Sequence, residues 1–340
     1  MDDRFNLIRT PKLLFGEGKS LEIPALIKDR GTKVLVITGS ESYAKNKAIL
    51  DLFDLLEQRK FDLRFEKIIR EPEPADIDEI KQKYTRDQTD LVLAVGGGSV
   101  LDAGKAVSAM LKAEENVKDY LEGVGTKIPS GQKKFFIAVP TTAGTGSEAT
   151  SNAVLSETGV NGYKKSLRHE NYVPDLAVVD PQLTVGCPAD ITANSGMDAF
   201  TQLIESYLST KANPFTDALA LDGISHVKDC LERAVRDGHD IAARAGMAYA
   251  AYLSGITLSN AGLGLIHGFA SAIGGFFYAP HGVVCGTLMG VVNRYNVNSL
   301  LSATENTIAH AKYAGLGNLL SGKINRKPQW YIEFAANYIE

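Results

Sequence analysis

The 340-residue chain has little cysteine, little histidine and almost no tryptophan: three, six and one. Cys187, Cys230 and Cys285 are widely spaced, with no C-x-x-C pair. That usage argues against a disulfide framework and fits a reducing, cytoplasmic compartment. No uninterrupted apolar run approaches the ~20 residues a bilayer span needs, so no membrane association is expected. The opening "MDDRFNLIRT" is acidic and lacks the apolar core of a secretory signal. Basic excess is missing too: 36 Lys+Arg stand against 40 Asp+Glu, a net charge of −4. The densest basic patches are "QKK" and "YKK", so no nucleic-acid partner is expected. No internal repeat or low-complexity segment appears. What remains, 44% hydrophobic and 22% charged, is an ordinary globular composition, long enough for two domains.

Those two domains have different rhythms. Apolar, β-branched runs at "KVLVIT" (33–38), "LRFEKII" (63–69), "LVLAV" (91–95), "FFIAV" (135–139) and "LAVVD" (176–180) are spaced by helical segments. Strands with little polar alternation between helices predict a parallel sheet covered on both faces, a doubly wound, Rossmann-like α/β fold. Beyond about residue 185 the strand signals stop and apolar residues recur at helical spacing. Pro188 suits a helix's first turn, and Asn213-Pro214 restarts the next helix. The expected division is 1–182, an α/β dinucleotide-binding domain, and 183–340, an all-α metal-binding domain. The last stretch, "PQWYIEFAANYIE", reads as an amphipathic helix; the chain is either truncated there or finishes on a helix.

Two loops follow strands of the expected sheet. "LAVGGGSVLDAGKA" places Gly96-Gly97-Gly98-Ser99 between a buried strand and a helix. Glycines allow close backbone approach to a phosphate, and the helix N-terminus offers unpaired N–H groups. The pattern is neither G-x-G-x-x-G nor a Walker loop, and a ligand-free turn would use glycine the same way. The second loop, "VPTTAGTGSEAT", is dense in small hydroxyl residues. Two such loops at strand carboxyl ends form the usual nucleotide crevice of a doubly wound sheet.

Histidine is scarce, yet two of the six lie in "NAGLGLIHGFASAIGGFFYAPHG", His267 and His281. One continuous helix over fourteen residues would hold them about 21 Å apart. Gly274-Gly275 and Pro280 are the expected breaks that let the chain turn back. "SGMDAFTQLIESY" sets Asp198 and Gln202 on one helix face. Asp198, His267 and His281, with Gln202, then make a divalent-metal site of O and N donors suited to Zn²⁺ or Fe²⁺. Without a thiolate the set does not read as a structural zinc finger. Each residue alone has a plainer reading: a hydrogen-bonded core histidine, a capping aspartate, a polar helix residue.

In combination these segments resemble the iron-containing (group III) alcohol dehydrogenase family. The likeness runs through "KLLFGEG", "GGGSVLDAGKA", "PTTAGTGSEAT", "VPDLAVVDP", "GMDAFTQLIESY", "SNAGLGLIHGFA" and "APHG", in that order. It implies NAD(P)-linked, metal-assisted interconversion of a small alcohol and its aldehyde or ketone, in a cleft between an α/β and a helical domain. It implies catalytic and metal-binding roles for Asp198, His267 and His281, with Gln202 at a further ligand position. For the cofactor it implies Gly97, Gly98 and Ser99 at the pyrophosphate, with Asp102, Thr141, Thr142, Thr145, Thr150 and Lys164 around it. A homodimer or larger homo-oligomer is implied as well.

Two positions depart from the family pattern. Gln202 and Ser271 stand where relatives usually carry histidine, which points to Zn²⁺ or loosely held Fe²⁺, as in related three-ligand glycerol dehydrogenases. Proton exchange then rests on the cofactor ribose, Ser271 or water. After the first strand, "VITGSES" has Gly39 and Ser40 where an acid would bond the ribose 2′-OH of NAD. The reading therefore leans to NADP over NAD, with nearby Glu41 as the counter-argument. Two alternatives stay open: a glycerol- or sugar-phosphate enzyme on the same fold, and a nucleotide-binding relative with a weakened metal site. Phe276, Phe277 and Tyr278 either line an apolar substrate pocket or pack in the core.

Overall fold

The computed structural model describes residues 4–40, 44–85, 89–302 and 307–340. The first half builds β1 (Lys12–Phe15), α1 (Ile23–Ile27), β2 (Lys33–Thr38), α2 (Lys47–Gln58), β3 (Asp62–Lys67) and α3 (Pro74–Thr85). It continues through β4 (Leu91–Gly96), α4 (Gly98–Met110), β5 (Phe135–Pro140), β6 (Asn152–Glu157), β7 (Tyr163–Arg168) and β8 (Leu176–Val179). Helices follow: α5 (Ala189–Leu208), α6 (Pro214–Arg236), α7 (Ile241–Ala261), α8 (Leu265–Phe276), α9 (His281–Ser302), α10 (Ile308–Ser321) and α11 (Pro328–Ile339).

Among the described residues six strands pair in the order β1-β8-β5-β4-β2-β3, every pairing parallel. Successive side chains of a strand point to opposite faces. Leu35, Ile37, Val92, Ala94, Phe136 and Ala138 accordingly face one apolar layer with residues of α3 and α4. Val34, Val36, Leu91, Leu93, Ile137 and Val139 face the opposite layer with α1 and α2. This double covering is why the strands read as continuous apolar runs rather than alternating ones. The expected parallel α/β fold and the helical second half are both present.

Two strand elements went unread. β1 adds to the sheet edge beside β8, with Leu14 opposite Val178. The antiparallel hairpin β6–β7 pairs Asn152 with Arg168 and Glu157 with Tyr163. Its second strand, "YKKSLR", is mostly polar with only Leu167 buried, and its first, "NAVLSE", is too short an apolar run to stand out. In the helical half, Asn213 forms a capping box with Thr216 and Pro214 is the first residue of α6. Pro188 is the residue before α5, one position earlier than expected.

α7 and the second loop meet with almost no space between backbones. A Cβ on Gly146, itself at φ +62°, would lie 2.5 Å from the Gly255 Cα. Ala177 and Val179 of β8 belong to the same apolar cluster as α5, α6 and α7, so the strand next to the sheet's β1 edge is continuous with the helical core.

Candidate functional site

At the sheet's carboxyl edge, β2 is flanked by β3 on one side and β4 on the other, so the chain reverses direction between β2 and β4. A crevice forms at such a switch point. Gly39 and Ser40 leave β2 there, and Gly39 faces Val100 of α4. Glu41 lies outside the described residues. Gly97 is the residue before α4, and no side chain caps the backbone N–H groups that open this helix. Helix N-termini of this kind attract phosphate through free N–H groups and dipole.

The two loops are interlocked. The Thr141 N–H donates to the Gly96 carbonyl at 2.9 Å. A Cβ on Gly97 would meet Thr142 Oγ1 at 3.2 Å, and one on Gly98 would meet Thr145 Cγ2 at 2.4 Å. Ser99 is half-buried beside them. Asp102 is half-buried and Thr150 buried, both bonded into the loops. Asp102 accepts from Ser147 Oγ at 2.5 Å and from the Val154 N–H at 3.2 Å. Thr150 Oγ1 accepts from the buried Lys105 Nζ at 2.8 Å. Both residues brace the loops from behind.

The second cluster is built by three helices. α7 stops at Ala261, Gly262 takes φ +72°, and His267 lies in the first turn of α8. The chain turns by 98° between α7 and α8. Gly274 and Gly275 do not break the chain. Both lie in the last turn of α8, where they let the helix approach β7: a Cβ on Gly275 would meet Tyr163 Cα at 3.1 Å, and one on Gly274 Lys164 Cδ at 3.2 Å. The reversal falls at Phe277–Pro280, and His281 opens α9. The imidazole centroids end 5.4 Å apart.

Donor atoms of Asp198, His267, His281 and Cys285 all lie within 4.8 Å of one another. His267 Nε2 is 3.3 Å and His281 Nε2 3.8 Å from Asp198 Oδ1. Asp198, His267 and Cys285 are buried, while the His281 side chain keeps 23% exposure and marks the open side. No thiol was expected in this set. Cys285 stands one turn after His281 on α9, a spacing that could have revealed it. Gln202 is adjacent but turned otherwise: its amide nitrogen donates to Asp198 Oδ2 at 3.2 Å, and its carbonyl accepts from Ser254 Oγ at 2.7 Å.

Glu205 also escaped the sequence reading. On α5, seven residues after Asp198, it holds His267 Nδ1 at 2.7 Å and accepts the Ile266 N–H at 2.7 Å. It thus anchors the start of α8 and orients its histidine. Burial alone raises the Glu205 and Asp198 carboxyls, but bonding to His267 holds both below the usual carboxylate range. Burial pushes the His267 imidazole down, yet Asp198, Cys285 and Glu205 lift it well above its ordinary value. His281 is lowered, by burial first and by its cationic neighbours Lys164 and His267. A pocket holding two carboxylates and two histidines suits a bound dication.

Lys164 on β7 connects the regions. It pairs with Glu71 at 2.5 Å, and both lie close enough to His281 to influence its charge. Glu71, Ser156, Gly274, Phe277, Tyr278 and Pro280 line a cavity of about 270 Å³ beside that histidine. Phe276, Phe277 and Tyr278 are exposed rather than packed in the core.

The fold thus combines a nucleotide-type switch point in a parallel sheet with a buried acid–imidazole cluster in the helical half. The iron-containing alcohol dehydrogenase family matches residues 10–181, and its C-terminal family matches residues 192–334. The chain belongs to the iron-containing alcohol dehydrogenase family. It is 41% identical over 207 residues to a probable alcohol dehydrogenase EutG of Escherichia coli, covering 61% of this chain and 51% of that one. It is 32% identical over 335 residues to the NAD-dependent methanol dehydrogenase of Bacillus methanolicus, covering 94% of this chain and 81% of the relative. The structure of an archaeal halo-thermophilic Red Sea brine pool alcohol dehydrogenase superposes with a TM-score of 0.90 at 26% identity, covering 100% of this chain and 85% of that one. The chain thus spans about half the length of the first of these relatives. Among the described residues no single helix is long and apolar enough to cross a membrane.

Proposed function

We propose that the protein interconverts a small alcohol and its aldehyde or ketone by hydride transfer with a nicotinamide dinucleotide. The observation that carries this reading is the convergence of Asp198, His267 and His281, together with an α4 N-terminus that no side chain caps. Their donor chemistry fits a divalent metal, Zn²⁺ ahead of Fe²⁺. When bound, such an ion polarises the substrate oxygen as a Lewis acid.

The chain's own residues do the rest. Backbone N–H groups of Gly98 and Ser99 hold the pyrophosphate at the start of α4, while Thr141, Thr142 and Thr145 form the facing wall. Asp102 and Thr150 fix that wall through Ser147 and Lys105. A chain of contacts runs from Asp198 through Gln202 and Ser254 to the Gly144 carbonyl, 3.4 Å from Ser254 Oγ. The metal-type cluster is therefore held in register with the cofactor loop. Lys164, restrained by Glu71, sets a positive charge at the mouth between them. Exchange of the alcohol proton with solvent falls to the cofactor ribose, to water or to Ser271, one turn beyond His267 on α8. Residues 1–182 act as the dinucleotide part and 183–340 as the metal-binding part, in a homodimeric or larger cytoplasmic enzyme.

For the cofactor, Gly39 and Ser40 place no carboxylate at the end of β2, which supports acceptance of the NADP 2′-phosphate. The name of the methanol dehydrogenase relative supports NAD. The test is nicotinamide absorbance over a panel of short alcohols and aldehydes, with Zn²⁺ or Fe²⁺ supplied and both cofactors compared by kcat/KM. Turnover with NADPH at least equal to NADH is expected. Retained nucleotide binding without turnover under any metal would reduce the protein to a nucleotide binder.

A further inference from the structure

Three of the cluster's donors are the residues just proposed to hold a metal, and the inference here rests on that reading. The fourth place is open to two candidates, Gln202 and Cys285. Gln202 is occupied at both ends. Its amide nitrogen faces Asp198 Oδ2 and its carbonyl faces Ser254 Oγ. Flipping the amide would turn its oxygen against an ionised carboxylate, two acceptors in contact with no proton between them. To bind an ion through oxygen, Gln202 must leave both partners inside a buried setting, at the cost of unsatisfied polar groups.

Cys285 needs no such rearrangement. Its Sγ is fully buried, 3.8 Å from His267 Nε2 and 3.7 Å from His281 Nε2. Those separations match the edges of a tetrahedron whose centre lies about 2.0–2.3 Å from each N, O and S donor. Among the described residues the other two thiols are elsewhere. Cys230 packs against Gly246 in the helical core, and Cys187 precedes α5.

We propose that Cys285 is the fourth protein ligand of the metal site, as a thiolate, and that Gln202 is a positioning residue that orients Asp198. On metal binding the thiol gives its proton to solvent, and the S–metal bond replaces the S–H bond. Asp198 and Cys285 then neutralise a dication, and the mixed N/O/S set favours Zn²⁺ or Co²⁺ over Fe²⁺. The exposed member of the set is His281, so access to a bound ion would be from its side.

The test strips the purified full chain of metal and reloads it with Co²⁺. Wild-type protein is expected to show visible d–d bands together with an intense near-ultraviolet thiolate-to-cobalt band. Cys285→Ala and Cys285→Ser keep the d–d bands and lose the near-ultraviolet one. X-ray absorption of the wild-type zinc form, which needs no variant to fold, is expected to contain one sulfur at about 2.3 Å. Cobalt bound with d–d bands alone, and a zinc shell of N and O only, would overturn the role of Cys285 while leaving the metal reading standing. Failure to bind cobalt or zinc at all would overturn both.

Discussion

Single residues in this protein have effects set by what they are buried against. Glu205 touches no expected substrate atom, yet its carboxylate fixes the tautomer and angle of His267 and caps α8. Partners of this kind typically account for 10–100-fold in metal affinity. Glu205→Gln should weaken Zn²⁺ binding by that order in a chelator competition, and unchanged affinity would remove Glu205 from the site. Glu148 illustrates the opposite case, a buried carboxyl that burial pushes up to about 7. Below pH ~4.5 the group is protonated in both folded and unfolded chains. Between there and about pH 7 only the folded state holds the proton, so stability falls as pH rises through that window. At 1.36 kcal/mol per pK unit the loss amounts to roughly 3 kcal/mol. Glu148→Gln should flatten this fall in urea melts taken from pH 4.5 to 7.5; an equally steep fall in the variant would show that another group titrates.

At the scale of elements, the two loops act as one because α4 begins without side chains where the β5 loop needs space. Gly98→Ala would set a methyl 2.4 Å from Thr145 Cγ2. Overpacking of this kind costs about 1–3 kcal/mol. The variant should melt earlier and bind dinucleotide more weakly, and Gly98→Ala with Thr145→Ser should recover part of both losses. Additive effects in that double-mutant cycle would mean that the loops do not couple. The paired glycines Gly274-Gly275 work the same way for α8, admitting β7 and Lys164 rather than ending the helix. The hairpin was hard to read because β7 is mostly polar and β6 buries only Ala153 and Leu155 among its apolar residues, too short an alternation to stand out.

For the whole molecule, the metal-type cluster draws one donor each from α5 and α8 and two from α9, so an ion there ties together helices that local sequence leaves separate. A ligand at 100 times its Kd stabilises by about 2.7 kcal/mol. Chelator treatment is expected to lower Tm by several degrees, with recovery on adding Zn²⁺; an unchanged Tm would exclude an ion bound at this cluster. The sheet, by contrast, stands on its own apolar layers on both faces. Its nucleotide affinity should survive metal removal in a direct binding titration.

The order of apolar runs, the glycines after β4, the small hydroxyl loop after β5, and the scarce histidines were enough to establish the parallel α/β half and the helical half and to single out Asp198, His267 and His281, which converge. These are local properties: a strand buried on both faces must be apolar, and a phosphate loop must lack side chains. Tertiary structure decided that Gly274-Gly275 stay inside α8 while the chain turns at Phe277–Pro280, which way the Gln202 amide faces, and that the thiol one turn after His281 meets both imidazoles. Each depends on partners distant along the chain, Ser254 for the amide and the packing of α8 and α9 for Cys285. Contacts across dozens of residues leave no periodic trace in the sequence that forms them.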